Sequence, residues 1–94
     1  MEKDEIRKRV KAILVDDLFV ADSVDGIGDD AQIGSDLGMD SVGFVELGTI
    51  VGEVFHFQVE DSDVGEGHFA SVEKLTDFIY ERVHERTEPL QVEA

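Results

Sequence analysis

A chain of 94 residues without cysteine is long enough for one small core, and it excludes disulfides and thiolate metal sites. Eight Lys and Arg against 23 Asp and Glu give a formal net charge of −15, which repels nucleic acid and anionic membranes and favours basic protein surfaces or cations. The hydrophobic share of 41% is that of a globular domain and not of a disordered acidic tract.

The first residues are charged, and no apolar run reaches the length of a signal peptide or a membrane span. A cytoplasmic monomer with no membrane partner is the expectation. Ile6, Val10, Ile13, Leu14 and Leu18 recur at helical spacing, so Lys3 to about Phe19 reads as an amphipathic helix. Residues 21–40 hold four glycines (Gly26, Gly28, Gly34, Gly38) and six Asp. They read as a loop, and a loop this long within a small domain points to function. Ile27, Ile33 and Leu37 are its candidates for burial.

Asp40 is a good N-cap for a second helix opening at Ser41 and running to about Phe55, with the apolar stripe Phe44, Leu47, Val51, Val54 and Phe55. Gly43, Gly48 and Gly52 lie inside it, each about 1 kcal/mol worse than Ala in a helix, so they call for a reason. Residues 57–67 read as a second acidic loop that begins extended, followed by a short turn at 68–70. Ser71 then caps a last helix, on the stripe Val72, Leu75, Phe78, Ile79 and Val83, to about Arg86. The expected fold is all-α, a small four-helix bundle of three main helices and one short one. It comprises a domain over residues 1–86 and a flexible tail over 87–94.

Charge is unevenly spread along the chain. Residues 1–20 carry five bases and five acids, whereas Ala12 to Glu73 holds fifteen carboxylates and no Lys or Arg. Mixed signs favour the compact state, so a one-signed middle suggests a docking surface as well as a solvated one. Within it, Asp36-Leu37-Gly38-Met39-Asp40-Ser41-Val42 is the most informative segment. Ser41 stands at a helix N-terminus, where the macrodipole and free N–H groups favour an anion on its oxygen, such as a phosphodiester. A lone Asp-Ser before a helix is ordinarily only a cap.

The surrounding residues make it more. The run DLGMDSVGFVEL over residues 36–47 resembles the acyl carrier protein signature D-L-G-x-D-S-L followed by x-x-V-E-L. Val42 stands in for the signature Leu, and Val45-Glu46-Leu47 matches outright. Ser71-Val72, Leu75 and Phe78-Ile79 are similar to the family's closing pattern, and the resemblance extends over roughly residues 4–86. It implies that Ser41, beside Asp40, carries a covalent 4′-phosphopantetheine arm transferred from coenzyme A by a separate phosphopantetheinyl transferase. The chain itself would then be a carrier and not an enzyme. It would hold acyl or polyketide intermediates as thioesters for acyl-transferring and condensing enzymes with basic docking surfaces, in fatty-acid or polyketide biosynthesis. Val42, Val45, Glu46, Gly48, Thr49, Gly52 and Glu53 form the expected partner face, the glycines as a small-residue groove that a partner backbone approaches. A peptidyl or aminoacyl carrier, or an acidic interaction domain without a prosthetic group, are the alternatives.

Other chemistries fail on residues. An EF-hand needs oxygen ligands at positions 1, 3 and 5, Gly at 6 and Glu at 12, and counting from Asp61 or Asp25 breaks the pattern. Gly26-Ile27-Gly28 mimics a dinucleotide fingerprint, but no strand precedes it and Asp residues surround it. His56, His68 and His84 lack metal-ligand spacing, and His56 suits a helix C-terminus.

Overall fold

The computed structural model describes residues 2–93, with side chains through His84. Helix α1 (Lys3–Asp16) buries Ile6, Val10, Ile13 and Leu14, the stripe that steps of four, three and one residues place on one face. That face packs along α4 (Val72–Glu93), which contributes Val72, Leu75, Phe78 and Ile79. Helix α2 (Ser41–Phe55) closes the core with Leu47, Gly48, Val51 and Phe55. The short α3 (Asp61–Asp63) runs directly into a π-helical turn at Val64–His68. Three long helices and one short one form the expected all-α bundle. Among the described residues the sole extended pairing is one antiparallel bridge between Gln32 and Ser71.

Two helix ends differ from the sequence expectation. Helix α1 stops at Asp16 and not near Phe19, because Phe19 is left-handed at φ 57°. The chain turns back there, and the amides of Leu18 and Val20 donate to the carbonyls of Ile13 and Leu14. Helix α2 ends as expected at Phe55, capped by a left-handed His56 whose N–H donates to the Gly52 carbonyl. Helix α4 is helical to Glu93, past the point near Arg86 where its apolar period fades. The expected flexible tail at 87–94 falls outside the residues whose side chains are described.

The first loop is fastened at both faces. Ile27, Ala31, Ile33 and Met39 are buried in the core, and Leu37 packs against it half-buried. Burying side chains of this size contributes roughly 1.5–3 kcal/mol each, enough to hold a segment with little regular structure. Its backbone is also tied to the start of α4. The Ile33 amide donates to the Ala70 carbonyl at 2.9 Å, and the Val72 amide to the Ala31 carbonyl at 3.0 Å. Ser71 caps α4 as expected, its Oγ accepting from the Lys74 amide at 3.1 Å.

The second acidic loop is clamped by a carboxylate that is itself buried. Asp63 accepts from the Glu60 amide (2.8 Å) and from Arg82 of α4 (3.1 Å), and the Arg82 guanidinium lies 4.8 Å from the Phe78 ring centre. Charge pairing, hydrogen bonding and stacking on one guanidinium suit Arg and would not survive its replacement by Lys. Residues 57–64 are thereby held alongside α2. No helix among the described residues is long and apolar enough to cross a membrane.

Candidate functional site

The site begins with a backbone that is set before Ser41 is reached. Gly38 adopts φ 72°, a left-handed turn that residues with a Cβ enter reluctantly. Met39 then dives into the core, 8% exposed. Asp40 is extended and caps α2, its Oδ1 accepting from the Gly43 amide at 2.9 Å. Gly43 has a packing role here, since a Cβ at that position would stand 2.6 Å from Met39 Cγ. Ser41 is therefore the first helical residue, exposed to solvent yet carried on a backbone fixed by a buried neighbour and a cap. Val42 and Val45 beside it are 68% and 63% exposed.

A groove of about 680 Å³ opens at Ser41. One wall is α2, through Phe44, Val45, Gly48, Thr49, Gly52 and Glu53, and the other is Phe57 to Asp61 with Val64 and Gly65. From Ser41 to Gly52 the helix rises about 16 Å. Thr49 is exposed and its hydroxyl donates back to the Val45 carbonyl at 3.1 Å. Glu46 lines a second, smaller hollow together with Leu18, Val20, Asp40 and Val42.

The glycines of α2 do something different from what their spacing suggested. Gly48 is buried, and a Cβ on it would meet Val59 at 3.4 Å. A Cβ on Gly52 would stand 2.8 Å from the Phe57 carbonyl oxygen. The space expected to receive a partner's backbone is taken by residues 57–59 of this chain. The small residues do mark a close backbone approach, but the approaching backbone is internal. Phe57-Gln58-Val59, expected only as extended loop, forms the groove's far wall. Nothing in periodicity pairs those residues with Gly52. Phe19 is likewise exposed, where the helical period carried past Asp16 would place it in a last turn of α1.

Around Ser41 the field is one-signed. No Lys or Arg among the described residues pairs with Asp40, Glu46 or Glu53, whereas Lys11 meets Asp29 at 2.6 Å and Lys3 meets Asp77 at 3.0 Å. The hydrogen bond and charge of Lys11 hold the Asp29 carboxyl below the ordinary carboxylate range. Those of Asp77 raise the Lys3 ammonium above its usual value. The histidines stand elsewhere: His68 stacks on Phe78 with centroids 4.6 Å apart, and His84 meets the Tyr80 ring edge-on at 4.0 Å.

Fold and site together define a small helical bundle that offers an exposed, rigidly carried serine hydroxyl at the mouth of an apolar groove. Residues 8–79 match the profile of the phosphopantetheine attachment site family, and the chain belongs to that family of acyl carrier proteins. A comparison with curated proteins finds no significant match. The family's prosthetic group is 4′-phosphopantetheine, held covalently. The residues present fit such a group. A hydroxyl is available at a helix N-terminus that favours a phosphodiester, and the groove beside it is lined by Phe44, Val45, Val59 and Val64.

Proposed function

We propose that Ser41 is the attachment point and that the chain carries acyl or polyketide intermediates between enzymes of fatty-acid or polyketide biosynthesis. The observation that carries this reading is the placement of Ser41, capped by Asp40 and exposed at the mouth of the groove, within a chain of the carrier family. When bound, the arm supplies a thiol for a thioester link to the cargo. Loading forms the Ser41 Oγ–phosphorus bond while the pyrophosphate bond of coenzyme A breaks and the adenosine bisphosphate leaves. The hydroxyl proton passes to a base on a separate phosphopantetheinyl transferase. The chain itself places no His or Lys near Ser41 in sequence, His56 being the first histidine after it, so self-activation of the triad kind has no support.

The remaining residues act by position. Asp40 fixes the first turn, and the first-turn amides favour the phosphodiester. Phe44, Val45, Val59 and Val64 offer apolar cover to the arm and the start of its cargo. Val42 and Val45, set among Asp40, Glu46 and Glu53, present an apolar and acidic surface suited to acyl-transferring and condensing enzymes with basic rims. The test is intact-mass measurement after incubation with coenzyme A and a broad-specificity transferase. Wild type gains one arm, and Ser41→Ala gains none while keeping its helical circular dichroism. An arm on the Ala variant overturns the assignment.

A further inference from the structure

Phe19 combines two unfavourable features that nothing in the fold requires together. Its backbone lies in the left-handed region, φ 57°, which glycine and asparagine enter readily and a bulky ring does not. Its side chain is 81% exposed, more than Val42 or Val45. Reversal of the chain after α1 explains the backbone but not the phenyl ring. The other left-handed non-glycine residue among those described, the α2 cap His56 at φ 62°, is polar and of a type far commoner in this conformation. Strain coinciding with an exposed aromatic is an outlier of the kind found at binding sites.

The location gives the outlier a direction. Leu18 and Val20, on either side of Phe19, line the hollow of about 310 Å³ that also holds Met39, Asp40, Val42 and Glu46. Phe19 is thus the exposed residue between two that line a hollow shared with Asp40 and Val42, the neighbours of Ser41 in the chain. Asp16, Asp17 and Asp22 flank it in sequence, and no base occurs between Ala12 and Glu73. A second copy of this chain, or an anionic membrane, would meet like charge there. The fitting occupant has an apolar pocket ringed by Lys and Arg. Coenzyme A carries a pyrophosphate and a further phosphate, so the enzyme that transfers its arm must cluster Lys and Arg around its site and bring them up to Ser41.

Resting on the reading of Ser41 as the attachment point, we infer that Phe19 is an apolar anchor for the loading transferase, seated in a pocket bordered by that enzyme's coenzyme A-binding basic groups. The experiment uses the apo chain, coenzyme A and the phosphopantetheinyl transferase of the organism that makes it, with KM and kcat followed by intact mass. Phe19→Asn and Phe19→Gly keep the left-handed turn and remove the ring. Both are expected to raise KM for the carrier ten-fold or more, to leave kcat within two-fold, and to melt no lower than wild type. Phe19→Tyr, which keeps the ring, should restore KM to within three-fold. Unchanged KM in the Asn and Gly variants, with wild type loading normally, overturns the anchor alone. A KM that rises only in step with a lower melting temperature also overturns it. A wild-type chain that takes no arm overturns the attachment reading and the anchor with it.

Discussion

The α1–α4 side and the α2 side of this bundle share one core but are finished differently at the surface. Across α1 and α4, opposite charges meet: Lys3 with Asp77, Arg7 with Asp4, and Lys11 with Asp29 where the first loop crosses α1. Around Ser41 no Lys or Arg answers Asp40, Glu46 or Glu53 among the described residues, and Val42, Val45 and Phe19 stand in water. Such ion pairs are individually weak, so the contrast concerns less the stability gained on one side than what is left open on the other. A surface left acidic and apolar around one hydroxyl is complementary to a basic surface with an apolar centre. The regular side holds the fold, and in the function proposed above the uncompensated side is the one offered to enzymes.

Core truncation on the regular side should give the largest change. Leu14 is fully buried, so Leu14→Ala should lower unfolding free energy by about 2–5 kcal/mol in urea titration. Loading of Ser41 in the molecules that remain folded should be unchanged. If loading fell in proportion within the folded fraction, the two sides would not be separable in this way.

A smaller effect, of unexpected sign, is predicted for the groove wall. Helix propensity alone says Gly52→Ala should stabilise by about 1 kcal/mol. The new Cβ, however, would lie 2.8 Å from the Phe57 carbonyl oxygen, and a backbone atom cannot turn aside as a side-chain tip can. Overpacking of this kind costs about 1–3 kcal/mol. The net expectation in a urea titration is destabilisation of up to roughly 2 kcal/mol, with displacement of residues 57–59 visible in amide chemical shifts. Stabilisation of Gly52→Ala would return the glycine to the surface role that its spacing suggested.

The smallest effect comes from the charge pairs themselves. Asp29 has its pKa lowered in the folded chain, so its contribution is present above the unfolded value of about 3.9 and is lost as pH falls through the lowered folded value. Lys3 is raised, so its contribution is present below about 10.4 and is lost as pH rises through its folded value. Melting temperature against pH should fall at both extremes. Asp29→Asn should flatten the acid limb alone, and an unchanged acid limb would remove Lys11–Asp29 from the account.

Local patterns in the sequence are informative where each residue's role depends on near neighbours. The α1, α2 and α4 stripes, the Asp40 and Ser71 caps, and the burial of Ile27 and Ile33 follow from periodicity and capping chemistry. The helical fold and the carrier motif were legible for the same reason. The early end of α1 was not, because a Phe in the left-handed region contradicts local preference and only the return of Leu18 and Val20 to α1 carbonyls shows it. The purpose of the α2 glycines was not, because it depends on residues 57–59 folding back across the helix. The Arg82–Asp63 clamp joins residues nineteen apart and leaves no trace in local spacing.

The central claim, that the arm is carried by Ser41, is tested most directly by locating it. Trypsin has no site from Ala12 to Glu73, but cleavage after acidic residues releases Ser41 to Glu46, Ser-Val-Gly-Phe-Val-Glu, in which Ser41 is the one hydroxyl. Tandem mass spectrometry of the loaded protein should find 4′-phosphopantetheine on that peptide. An arm found instead on a peptide bearing Ser23, Ser35, Ser62 or Ser71 would contradict the account.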